Sequence, residues 1–194
     1  MTRKKIPLNP DRPRVREIWD YYAASTKALK LYQKELLDSL ANENVQSDSN
    51  EARFMPKSEV FDLLESYYTE LSQEVVLALS SIFEAELRLD YHNRVRNRWK
   101  DDISRSFRRL NKTHGERIRM ETLLNVWKKQ YSEYGRHISL FERLILFRHW
   151  LAHGRYWIHK SDEFTPELSL TCADNLFTSL PDFDTWESID QPNT

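Results

Sequence analysis

Between Pro56 and Asn93 the chain carries no glycine and no further proline, and its apolar residues fall at Phe61, Leu64, Tyr68, Leu71, Val75, Leu79 and Ile82. Steps of three and four residues keep these side chains on one face of an α-helix, whereas a strand would scatter them over both faces. The spacing predicts one long amphipathic helix, and the rest of the chain must pack around it. Only three glycines occur in 194 residues. The phosphate-cradling patterns GxGxxG and GxxxxGK[ST] are absent, which argues against nucleotide triphosphatase or dinucleotide chemistry.

The other segments read the same way. Residues 1–12 are polar and proline-bearing and are expected to form an arm. Asp11 and Pro13 look like a helix start, and residues 14–41 have helical composition. Residues 42–52 are polar throughout and read as a loop. A basic helix is expected over 94–112, with Val95, Trp99, Ile103, Phe107 and Leu110 as its seam and a turn at 111–115. Another follows over 116–131, with a second turn at 134–137. Ser139 is expected to cap a helix ending at Gly154, and Thr165 with Pro166 opens a final helix that Pro181 stops. No segment alternates with period two. The expected fold is all-α, a single bundle of five or six helices over 13–180 with its core in 57–180, followed by an acidic tail over 181–194.

One cysteine allows no internal disulfide and no Cys-based zinc site. No window approaches the ~20 apolar residues of a membrane span, and the basic start runs into prolines, unlike a secretory signal. A cytoplasmic protein without membrane contact is expected.

Charge is segregated along the chain. Residues 88–160 hold 18 Lys and Arg against 7 Asp and Glu, while 161–194 hold 8 acids and no Lys or Arg. The middle suits a polyanion and the tail resembles one; long helices also carry solvated charge for its own sake.

The most informative segment is SLFERLILFRHWLAHGRYW, residues 139–157. A helical wheel puts Leu140, Phe141, Leu144, Ile145, Phe147 and Leu151 on one face with Arg148 near its centre. A guanidinium aimed at a core needs a carboxylate, a phosphate or a wet cleft. Three readings follow: a structural arginine paired with an acid, His149 and His153 as metal ligands, or Arg148 and His153 acting on a phosphodiester. The metal reading finds no HExxH glutamate and no Cys or Asp cluster, so no metal or cofactor is expected. The second helix offers Glu86 on the apolar side as a partner for Arg148, and Glu84 off it.

Arg-His-Trp-Leu-Ala-His-Gly-Arg, residues 148–155, resembles the R-x4-6-H signature of the HEPN domain, the higher eukaryotes and prokaryotes nucleotide-binding domain. Arg148 stands as its arginine, His149 as the polar residue after it, and His153 as its histidine. Ile82-Phe83-Glu84-Ala85-Glu86-Leu87 is similar to the second-helix pattern of the RiboL-PSP group of that family, and favours Glu84 as the supporting acid. The resemblance covers residues 57–180. It implies an endoribonuclease that uses no metal and dimerises so that two Arg/His motifs share a cleft, and many members are toxins or antiviral effectors with a neutralising partner protein. Others have lost the motif and only bind, so the alternative is a non-catalytic helical dimer holding RNA or a protein. Histidine can move the protons of 2′-hydroxyl attack, and arginine can stabilise the phosphorane. One histidine cannot easily serve both sides of an in-line displacement; two chains would supply two. Arg155 and Tyr156 are candidates for holding adjacent phosphates or stacking on a base.

Overall fold

A computed structural model describes residues 13–41, 56–115, 118–155, 164–183 and 186. Six α-helices occur among them: α1 (Val15–Ala41), α2 (Lys57–Asn97), α3 (Asp102–His114), α4 (Met120–Gln130), α5 (Gly135–Ala152) and α6 (Pro166–Ser179). No strand occurs among the described residues, and the fold is all-α. The expected arm over 1–12 and the polar loop over 42–52 lie outside them.

The 41 residues of α2 give it a length of about 60 Å, and α1, α3, α4, α5 and α6 all pack against it. Its first turns and the end of α1 bury a small separate cluster of Leu36, Val60 and Leu64. The main core begins further along, where Val75, Val76, Leu79, Phe83 and Leu87 meet Leu123, Trp127, Phe141, Leu144, Ala173 and Phe177, all almost fully buried. Burying each large side chain of this kind stabilises the fold by about 1.5–3 kcal/mol.

Several boundaries differ from the sequence expectation: the turn expected over 111–115 is helical to His114, with Gly115 as the cap of α3, and the helix expected over 116–131 is α4, Met120–Gln130. The helix expected over 94–112 is broken, because α2 runs on to Asn97 and Arg98 turns left-handed at φ 52°. Asp101 then starts α3, its carboxylate accepting from the Ser104 amide at 2.8 Å and hydroxyl at 2.6 Å. Trp99 therefore lies in the corner between helices instead of on a seam. The turn expected over 134–137 is displaced to a single 3-10 turn at Ser132–Tyr134, so that α5 starts at Gly135 and Ser139 lies inside it. By contrast, Thr165 caps α6 through the Leu168 amide at 3.2 Å, and Gly154 follows α5 at φ +75°, a conformation that side-chain-bearing residues rarely adopt.

The first residues of the expected acidic tail are packed. Phe183 is buried and stacks on Phe177 at 4.8 Å between ring centroids. Trp186 meets Phe177 edge-on at 4.8 Å and donates its indole N–H to Asp174 at 3.0 Å.

Candidate functional site

The placement of α5 follows from its apolar residues. Ile138, Phe141, Leu144, Ile145 and Phe147 are buried, which turns this side of the helix toward α2 and α6. Arg148 shares that side, as the wheel predicts. Its side chain keeps 27% exposure, while its Nε is fully buried and makes no hydrogen bond among the described residues.

Glu84 of α2 is the carboxylate at ion-pair distance, its Oε2 lying 4.0 Å from Arg148 Nε. That carboxylate is also engaged by Arg88, whose Nη2 and Nε donate to its Oε1 at 2.7 and 3.3 Å. Arg88 in turn donates to the Ile118 carbonyl at 2.9 Å. Glu86 is buried, two residues on and about 200° round the same helix. The acid the resemblance favours is the one that meets Arg148.

His149 and His153 meet each other on the exposed side of α5, their ring centroids 6.3 Å apart and their planes within 9°. His153 is the cap residue after the helix, its amide donating to the His149 carbonyl at 3.1 Å. A regular helix sets positions 148 and 153 about 140° apart, and α5 remains regular to Ala152. Arg148 is turned to α2 and the two histidines to solvent. No group of three or more His, Cys, Asp or Glu that could hold a metal ion occurs among the described residues.

Arg155 is placed differently from its expected role. It is left-handed at φ 57°, and its guanidinium forks onto Glu70 of α2 at 2.8 and 3.0 Å with Gln73 alongside. The hydrogen bond to the Glu70 carboxylate holds its pKa above the ordinary arginine value. In this position Arg155 ties the end of α5 to α2. Tyr156 lies outside the described residues.

Beside the Glu84–Arg88 pair, a groove of about 690 Å³ opens between α2, α4 and α5. Its lining includes the apolar side chains of Leu124, Ile145 and Leu146 and the polar ones of Lys128, Glu142 and His149. Lys128 and Glu142 pair across it at 3.2 Å. Its volume falls in the range of small-ligand sites, roughly 300–1,000 Å³.

Sequence reasoning missed a buried arginine. Arg94 is fully buried at the end of α2, and its Nε lies 2.7 and 2.9 Å from the two Asp90 oxygens. Its Nη1 reaches Asp101 at 3.3 Å, and its Nη2 donates to the Pro181 and Asp182 carbonyls at 2.9 Å each. The Trp99 and Trp127 rings lie 5.0 and 5.1 Å from the guanidinium carbon. A legible signal existed: Asp90 and Arg94 are oppositely charged, four residues apart, and continue the apolar stripe of α2.

Compared with protein-family models, curated proteins and solved structures, the chain matches none of them. No helix among the described residues is long and apolar enough to cross a membrane.

Proposed function

We propose that the protein is an endoribonuclease of the HEPN type, cleaving RNA without metal at a cleft completed by a second copy of the chain. The observation that carries this reading is Arg148, a guanidinium set in an apolar helix face with its Nε buried and its neighbouring carboxylate already shared with Arg88. A cation held in this way is fixed in place yet keeps donors for a phosphate. His153, exposed at the helix end, supplies the group that takes the 2′-hydroxyl proton or returns one to the leaving 5′-oxygen. The 140° between the two positions supports a site shared between chains, in which one copy's Arg148 works beside the other's His153. His149 and Glu84 position these two. A role as a toxin or antiviral effector, restrained by a partner protein, belongs to the same reading.

The separation of Arg148 and His153 within one chain equally favours a rival, a non-catalytic helical dimer that binds RNA or a partner protein. Incubating the purified protein with RNA in EDTA decides between them. The enzyme leaves 2′,3′-cyclic phosphate ends, and Arg148→Ala or His153→Ala each lowers cleavage about 100- to 1,000-fold with helical content unchanged. Cleavage retained in either variant, or none by the parent chain, removes the nuclease reading.

A further inference from the structure

The basic middle of the chain does not fold into a uniformly basic surface. Arg94 is buried among acceptors, Arg88 and Arg148 meet Glu84, Lys128 meets Glu142, and Arg155 is held by Glu70. Of the residues in this set expected to meet RNA, Arg155 forks onto Glu70 and Arg148 faces Glu84. Among the described residues, six further exposed cations lie on α3 and the corner before it, Arg96, Arg98, Lys100, Arg105, Arg109 and Lys112, against Arg119, Lys129 and Arg136 elsewhere in the basic middle.

We infer that the exposed face of α3, carrying Arg105, Arg109 and Lys112, is a docking ridge for the phosphate backbone of single-stranded RNA. Positions 105, 109 and 112 fall within a 60° arc of the helix, neighbours about 5–6 Å apart at Cβ. This step is comparable to that between successive phosphates of a single strand. All three residues are exposed. Arg109 and Lys112 have no ion pair among the described residues, and no acid occurs from 103 to 115. Arg105 pairs with Asp102 at 2.9 Å, with both side chains more than half exposed. Such a pair is weak and yields readily to a phosphate.

The ridge is held rigidly from behind. Ile103 and Phe107 are buried beneath it, Asp101 caps its start, and Arg108 is withdrawn to donate to the Trp99 carbonyl. Arg96, Arg98 and Lys100, all exposed, extend the charge into the corner between α2 and α3. A convex row one helix wide fits one backbone better than a duplex, which presents two strands across a groove. Because α3 packs on α2 and α4 while Arg148 sits on α5, holding the strand and cutting it are separate tasks. The choice of RNA rests on the proposed function.

The experiment measures affinity for a short fluorescent 2′-O-methyl RNA, which cannot be cleaved by 2′-hydroxyl attack, between about 50 and 200 mM KCl. The triple variant Arg105→Gln/Arg109→Gln/Lys112→Gln should flatten the slope of log affinity against log salt by about 2 and weaken binding at low salt at least about tenfold. Arg16→Gln/Lys27→Gln/Lys30→Gln on α1, where all three are also exposed, makes the same change in net charge and should leave the slope unchanged. Equal slopes in the α3 variant and the parent chain overturn the ridge. So do equal losses from both triple variants, an equal loss of poly-glutamate binding, or a parent chain that binds no RNA. A parent chain that binds RNA through α3 but cleaves none sinks the nuclease reading alone. Cleavage of natural RNA with equal slopes sinks the ridge alone.

Discussion

Two arginines enter the interior of this bundle, and the protein treats them differently. Arg94 has 0% side-chain exposure, with acceptors at Nε and both Nη groups and tryptophans beside its guanidinium. Arg148 keeps 27% exposure and, among the described residues, a buried Nε without a hydrogen bond and a carboxylate no closer than 4.0 Å that is already shared. A saturated guanidinium binds its own fold together and has nothing left for a ligand. An undersaturated one gives up some stability and retains the capacity to bind. Under the proposed function, the difference separates an arginine that holds the fold from one kept for a phosphate, where burial alone does not.

The comparison breaks first on stability. Arg94→Met leaves Asp90 buried with its guanidinium partner removed, and should cost about 3–5 kcal/mol by urea unfolding. Arg148→Met should cost about 1 kcal/mol or less while lowering the proposed RNA cleavage about 100- to 1,000-fold. Similar losses of stability in the two variants would make Arg148 a second structural arginine. Glu84→Gln sharpens the same point with a smaller effect: it frees both Arg88 and Arg148, and should change cleavage about tenfold with little change in the unfolding midpoint.

A pH effect comes next. Burial works against the Asp101 carboxylate, but hydrogen bonds from the Ser104 hydroxyl and amide, with the Arg94 charge, outweigh it and hold its pKa below the ordinary 3.8. A carboxyl whose folded pKa is lowered contributes stability above its unfolded value and loses it as pH falls through the folded one. Asp101→Asn should therefore flatten the loss of stability below pH 3.8 compared with the parent chain. Acid unfolding curves unchanged by the substitution would detach Asp101 from the Arg94 cluster. The smallest expected effect is at Cys172, whose thiol burial pushes up to about 12. It should remain unreactive toward a thiol reagent at pH 8 until the protein is unfolded.

Local chemistry made much of this legible. The stripe of α2 predicted the helix that organises the bundle, Thr165 and Gly154 marked ends that the structure keeps, and the wheel put Arg148 on the buried side of α5. The break between α2 and α3 was not legible, because no glycine or proline marks it and the apolar seam runs through Val95 and Trp99 without a change of phase. Asp101 marked the spot only through its bond to Ser104. The Asp90–Arg94 pairing was legible in its spacing, but the carbonyls that complete the arginine's shell lie 87 and 88 residues further along the chain and were not. The fork of Arg155 onto Glu70 likewise spans 85 residues, and helical periodicity carries no information across such a distance.

The reach of Arg94 also imposes an order on assembly during synthesis. When α2 leaves the ribosome, its guanidinium has Asp90 but neither the Pro181 nor the Asp182 carbonyl. At translation rates of about 5–20 residues per second, those acceptors follow several seconds later. Through that interval water stands in for those two carbonyls, and this end of the bundle stays open around the cation. Closure of the Arg94 shell therefore waits for residues 181 and 182, so a chain that stops before them buries this cation less completely.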